Sequence, residues 1–146
     1  MVEYYRIPLK FSDLFKKHEL PKCRDIGESI SQNIHLMITS RFGEYRFDQT
    51  YGSSIWDSDF ENIFANDDWN EKISNSLRQI IETHEPRLKD IMVYAEITQE
   101  EIPATAANPQ YRIKQKVSVR VEGTLTSTNE RFETTQKLYV SPLSFD

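Results

Sequence analysis

The chain has 146 residues, a mass of 17.2 kDa and a formal net charge of −5, with 38% hydrophobic and 28% charged residues. A chain of this mass buries ~69% of its unfolded surface, so one self-sufficient core is expected, and the composition excludes collagen-like, low-complexity and wholly disordered classes. Mild acidity offers no field for a phosphate backbone, the single cysteine Cys23 closes no internal disulfide, and no apolar run reaches the ~18 residues of a membrane span.

No nucleic-acid partner, membrane insertion or signal peptide is therefore expected, and a reducing, cytoplasmic setting fits best. The apolar period is helical before Pro86 and strictly alternating after it. That order predicts an α+β fold: two main helices and short helical segments packed on one face of a three-stranded antiparallel meander. Residues 1–24 read as an N-terminal arm, docked or partly flexible, with a helical turn beginning at Ser12. Residues 25–146 read as one domain.

The first main helix is expected from Ile26 to Arg41, with Ile26, Ile30, Ile34, Met37 and Ile38 on one stripe. Asp25 and Glu28 form a capping-box start, Arg41 suits the helix dipole at the other end, and Gly43 can take the left-handed conformation that stops the helix. Tyr45, Phe47, Tyr51 and Gly52 follow in a folded loop, and Trp56, Phe60, Ile63 and Phe64 suggest a short helix. The second main helix should begin at Asp68 as N-cap, bury Trp69, Ile73, Leu77, Ile80 and Ile81, and stop near His84 because Pro86 disfavours helix at Glu85.

In the strands, Ile91, Val93, Ala95 and Ile97 alternate with polar residues, as do Ile113, Val117, Val119 and Val121. Pairing Ile102 with Gln110 across a Pro103 to Pro109 turn sets Val93 opposite Val119 and Glu96 opposite Lys116. A connection at Ser127 to Glu130 then sets Val119 opposite Leu138 and Arg120 beside Lys137. The outer face of the middle strand carries Arg112, Lys114, Lys116 and Arg120, which reads as a solvated sheet face.

Chemistry-bearing constellations are sparse. His18, His35 and His84 lack ligand-spaced partners, Gly27, Gly43, Gly52 and Gly123 are isolated, and no serine lies in a nucleophile-elbow context. No metal, cofactor or small-molecule substrate is expected. The acidic set Asp57, Asp59, Glu61, Asp67, Asp68 and Glu71 could supply two carboxylates for carbohydrate hydrolysis, but capping of two helix starts explains it without catalysis. The remaining feature is Glu85-Pro86-Arg87-Leu88. Proline fixes the corner, and Glu85 and Arg87 can project from it as a preset charged pair for a protein partner, or be simply solvated.

Glu85-Pro86-Arg87, preceded by an amphipathic helix and followed by the strand Ile91-Met92-Val93-Tyr94, resembles the hallmark Glu-Pro-Arg segment of the phage-tail baseplate wedge (GPW) family, which includes the TssE subunit of type VI secretion systems. Thr39-Ser40-Arg41-Phe42-Gly43-Glu44 and Tyr51-Gly52-Ser53 are similar to that family's Thr-Arg-x-Gly-Glu and Tyr/Phe-Gly pattern, with Ser40 inserted and Phe42 where proline is common. The resemblance implies a structural, non-enzymatic role. Glu85, Pro86 and Arg87 would bind baseplate wedge subunits, and the edge strands around Ile91 and Val140 would receive the contractile sheath subunit as it begins to polymerise. It also leaves open a regulatory binding module, because a bacterial anti-adaptor of a proteolysis pathway resembles the same fold.

Overall fold

The computed structural model describes residues 2–57, 68–107, 109 and 112–140. Its elements are helix α1 (Phe11–Lys17), helix α2 (Ile26–Thr39), a 3-10 turn (Ser54–Asp57), helix α3 (Trp69–His84) and strands β1 (Leu88–Ile102), β2 (Arg112–Leu125) and β3 (Arg131–Tyr139). The three strands form one antiparallel sheet in the order β1-β2-β3.

Helix α2 starts where a carboxylate can hold its free amides: Asp25 accepts from the Glu28 N–H at 2.8 Å, and Glu28 reaches back to the Arg24 N–H at 2.6 Å. The return bond thus falls one residue earlier than in the usual capping box. The helix stops at Thr39, with Ser40 extended as C-cap. Arg41 therefore lies beyond the helix, and Gly43, although left-handed at φ 78°, belongs to the loop that follows. Helix α3 has the expected bounds and buries the five expected residues, although Asp68 makes no side-chain cap. Its amphipathic stripe carries its stability, since a helix is held mainly by packing of such a face.

The sheet turns Val93, Ala95, Val117, Val119, Val121 and Leu138 inward, against Ile30, Ile34, Met37 and Ile38 of α2 and Ile73, Leu77 and Ile81 of α3. Helix α3 lies over β1, where Ser74 Oγ accepts from the Ala95 N–H at 2.9 Å. Helix α2 lies over β3, where Ser31 and Thr134 hydroxyls meet at 2.7 Å and His35 bonds Gln136 at 3.1 Å.

Facing is as expected but register is not. Val93 pairs with Val121, Ala95 with Val119, Ile102 with Arg112, and Val117 with Leu138. Both ladders are displaced by two residues from the sequence-based register. Alternation fixes parity, and a two-residue slip keeps every valine inward. Three features set the actual register: the longer β1–β2 connection, a bulge between Lys89 and Met92 with Asp90 at φ 52°, and a β2–β3 turn with Asn129 at φ 58°. One consequence is that Arg120 faces Thr135 and not Lys137, while its guanidinium lies 4.7 Å from the Tyr94 ring centroid. Glu96 faces Ser118, and Glu100 faces Lys114.

The N-terminal arm is a closed loop whose base is laddered. Tyr5 bridges Lys22, Arg6 N–H donates to Pro21 O at 2.9 Å and Cys23 N–H to Tyr4 O at 2.8 Å. Arg6 pairs with Glu28 at 2.9 Å, which docks the base on α2. The helical turn of the arm is α1, and it buries none of its residues. The expected short helix is a 3-10 turn as far as Asp57; Phe60, Ile63 and Phe64 lie outside the described residues.

Candidate functional site

The corner between α3 and β1 is built around one carboxylate. Pro86 and Arg87 make the turn, and the Glu85 N–H still donates to Ile81 O at 2.8 Å, so the side chain of Glu85 leaves the last helical turn inward. Its exposure is 1%. Arg87 closes on it as a fork, Nε to Oε1 at 2.7 Å and Nη2 to Oε2 at 2.8 Å, a bidentate pair with fixed geometry. Helix α2 supplies the other partners. Asn33 Nδ2 donates to Glu85 Oε2 at 2.8 Å, and Arg87 Nη1 donates to Ser29 Oγ at 2.9 Å.

This pair also reaches three further segments. Tyr51 O–H donates to Asn33 Oδ1 at 3.0 Å, the Tyr4 ring lies 5.1 Å from the Arg87 guanidinium, and Thr126 N–H donates to Arg87 O at 2.9 Å. One ion pair thus ties α2, α3, β1, the β2–β3 turn, the arm and the loop before the 3-10 turn. Burial alone would raise the Glu85 carboxyl, but hydrogen bonds from Arg87 and Asn33 and the Arg87 charge outweigh it and hold its pKa below the ordinary value. Tyr51 is pushed up to about 12 by burial and then by the Glu85 charge.

The expectation that Glu85 and Arg87 project together is corrected by these contacts. An unpaired carboxylate at this depth would be costly, but Glu85 can turn inward because the Arg87 and Asn33 side chains satisfy it. Arg87 is a quarter exposed along its side chain, and Pro86 is exposed. Asn33, Ser29, Tyr51 and Tyr4 are corner residues that sequence reasoning did not find. Ser29 and Asn33 are one turn apart beside Ile30 and Ile34, and a polar pair so placed on a buried stripe signals a polar partner across the interface.

The loop before the 3-10 turn has its own order. Glu44 accepts from the Arg41 N–H at 2.7 Å, Asp48 accepts from Thr50 N–H at 2.9 Å, and Asp48 lies 3.7 Å from His84 Nδ1. Tyr45, Tyr51 and His84 stack edge to face in series. Of the acidic set weighed for hydrolysis, Asp57 is exposed on the 3-10 turn and Glu71 is exposed in the first turn of α3. Asp59, Glu61 and Asp67 lie outside the described residues. Among the described residues, no group of three or more His, Cys, Asp or Glu could hold a metal ion, and no helix is long and apolar enough to cross a membrane.

The carboxyls of Glu28, Asp48 and Glu85 all have pKa values lowered in the fold. A lowered folded value means that the unfolded chain binds more protons between the two values, so the stabilisation is present above the ordinary pKa and is lost as pH falls through the folded one. The urea midpoint is expected to hold between pH 7 and 5.5 and to fall below about pH 4.5, the ordinary value for a glutamate. In Glu85→Gln that fall should be shallower, measured by tryptophan fluorescence; an identical pH profile in both proteins would contradict the corner's role.

A family model described as baseplate wedge protein gp25 matches residues 24–130, a span that contains the corner and most of the sheet. A Geobacter sulfurreducens chain solved under the provisional description of a tail lysozyme is 22% identical, with a TM-score of 0.56 over 84% of this chain and 97% of that one. A chain of the baseplate complex from the type VI secretion system is 15% identical, with a TM-score of 0.50 over 75% of this chain and 89% of that one. No curated protein matches the sequence.

Proposed function

Because the chain belongs to the baseplate wedge protein gp25 family, a family of structural baseplate components, we propose that it is a non-enzymatic, cytoplasmic subunit of a type VI secretion-like contractile machine. In that role, of the TssE kind, it joins wedge subunits to the contractile sheath subunit and starts sheath polymerisation. Pro86 and the exposed part of Arg87 contact the wedge, and Glu85 holds them in place from below.

The observation that carries the sheath half of this reading is the unequal state of the two sheet margins. The β1 margin is engaged at Ala95, whose outward amide donates to Ser74 on α3. On β3 the contacts to α2 are made by side chains of Thr134 and Gln136, so among the described residues the backbone margin is left to an added strand. Val140 N–H donates inward to Gln115 O, so by alternation the amides of Gln136 and Leu138 also point inward and those of Thr135 and Lys137 point outward.

Thr135→Pro removes an outward donor without touching the ladder to β2. It is expected to stay folded by circular dichroism and to co-purify with the wedge, yet to seed sheath polymerisation ~10-fold less well on reconstituted baseplates, because strand addition draws its affinity from main-chain bonds. Undiminished seeding would contradict pairing at β3. Failure of the wild-type chain to co-purify with wedge subunits would contradict the wedge assignment itself.

A further inference from the structure

The first fifteen residues are rich in exposed apolar side chains: Val2, Tyr5, Ile7, Leu9, Phe11, Leu14 and Phe15 make up half of the large hydrophobic side chains exposed by 40% or more among the described residues. Phe11, Leu14 and Phe15 stand at i, i+3 and i+4 on α1, hence on one face, and Phe11 is 60% and Phe15 80% exposed. Seven residues make a helix of only ~10 Å, too short to be stable without packing. Its place is set by the laddered base of the arm, because it packs no side chain into the chain's own core. A contiguous apolar patch on a soluble domain marks a contact site.

We propose that this face of α1 docks on an acidic amphipathic helix of a wedge subunit, as a second anchor beside the Pro86–Arg87 corner. The inference rests on the wedge reading and deepens it by naming the partner's chemistry. Charge selects the occupant: residues 1–22 carry five Lys or Arg against three Asp or Glu in a chain of net charge −5, and Lys10, Lys16 and Lys17 flank the apolar face. Continuity selects the subunit. Tyr4, at the base of the arm, lies with its ring 5.1 Å from the Arg87 guanidinium, so the arm that carries α1 is rooted at the corner. A helix-in-groove contact read by i, i+3 and i+4 anchors fits this spacing. A membrane surface fits less well, since stable interfacial binding draws on a larger apolar face or a denser basic one than seven residues provide.

The test is the affinity of the full chain for reconstituted wedge subunits, measured at low and moderate salt. Phe11→Asp with Phe15→Asp alters two exposed side chains, so circular dichroism and melting should match the wild type, while affinity falls ~10-fold or more because aromatic anchors dominate such contacts. Lys16→Glu with Lys17→Glu should weaken binding several-fold at low salt and flatten its salt dependence. If Pro86→Glu weakens binding while the double phenylalanine variant binds normally, the inference falls and the corner stands. If the wild type does not bind wedge subunits at all, both fall. Sedimentation of the wild type with phosphatidylserine-containing vesicles, lost in the double phenylalanine variant, would overturn the protein partner in favour of lipid.

Discussion

Glu85→Ala is expected to lower the unfolding free energy by ~3 kcal/mol, at the lower end of the cost of breaking a buried ion pair. The substitution leaves the Arg87 fork and the Asn33 amide facing a vacated, water-excluded position, and Arg87 keeps part of its hydration because its side chain is 25% exposed. A double variant, Glu85→Ala with Arg87→Ala, should cost less than the sum of the two single changes, since the second removes the group that the first orphaned. Urea unfolding of the four proteins measures the coupling; strict additivity would show that the pair does not hold the corner. Charge reversal here disturbs the fold before it tests docking, so the exposed Pro86 is the position at which docking should be varied.

Gly52→Ala should be comparably damaging, for a reason of backbone geometry. Gly52 has φ 137°, a conformation that residues with a Cβ rarely adopt, and a Cβ built there would lie 2.6 Å from Arg41 O. The loop cannot relax cheaply, because Ser53 N–H donates to Ser40 O at 2.8 Å and Arg41 bridges Ser53 in parallel. Strain of this kind costs ~1–3 kcal/mol before the steric overlap is counted. A loss of ~3 kcal/mol corresponds to a melting-temperature drop on the order of 8 °C at this chain length. By contrast, Gly43→Ala meets no atom within 4 Å and bears only the cost of its positive φ of 78°. Equal melting temperatures for the two variants would contradict the account of the close approach.

These two positions show what a sequence can and cannot disclose. Helix α3 was legible at both ends, because an apolar stripe from Trp69 to Ile81 and Pro86 leave one set of bounds. The inward faces of the strands were equally legible, since alternation determines them. Register was not: it depends on the left-handed turn at Asn129 and the bulge near Asp90, neither of which alters the valine pattern. The corner was legible as a special segment but not in its direction. A glutamate beside proline reads as a solvated turn, and only the spatial approach of Asn33 and of Arg87, itself braced by Ser29, converts it into a satisfied interior carboxylate. Tyr4 was the hardest to foresee, because the arm's path over the corner follows from its ladder with Pro21 and Cys23.

The mechanical consequence is a division of labour between interior and margin. Glu85 locks the helical layer to the sheet, so force applied at the Pro86 corner or the arm passes into β1 and, through the β1-β2-β3 ladder, to the outward amides of β3. Under the proposed role, that arrangement suits a part held by wedge subunits at the corner and by the sheath subunit at β3.

Hydrogen exchange of the chain alone, with wedge subunits, and with wedge plus sheath subunits tests this most directly. The account predicts slowing in the arm and at residues 85–87 when wedge subunits are added, and slowing across residues 131–139 only when the sheath subunit joins. Exchange that stays at its free-chain rate in all three segments, under conditions where the complexes form, would contradict it.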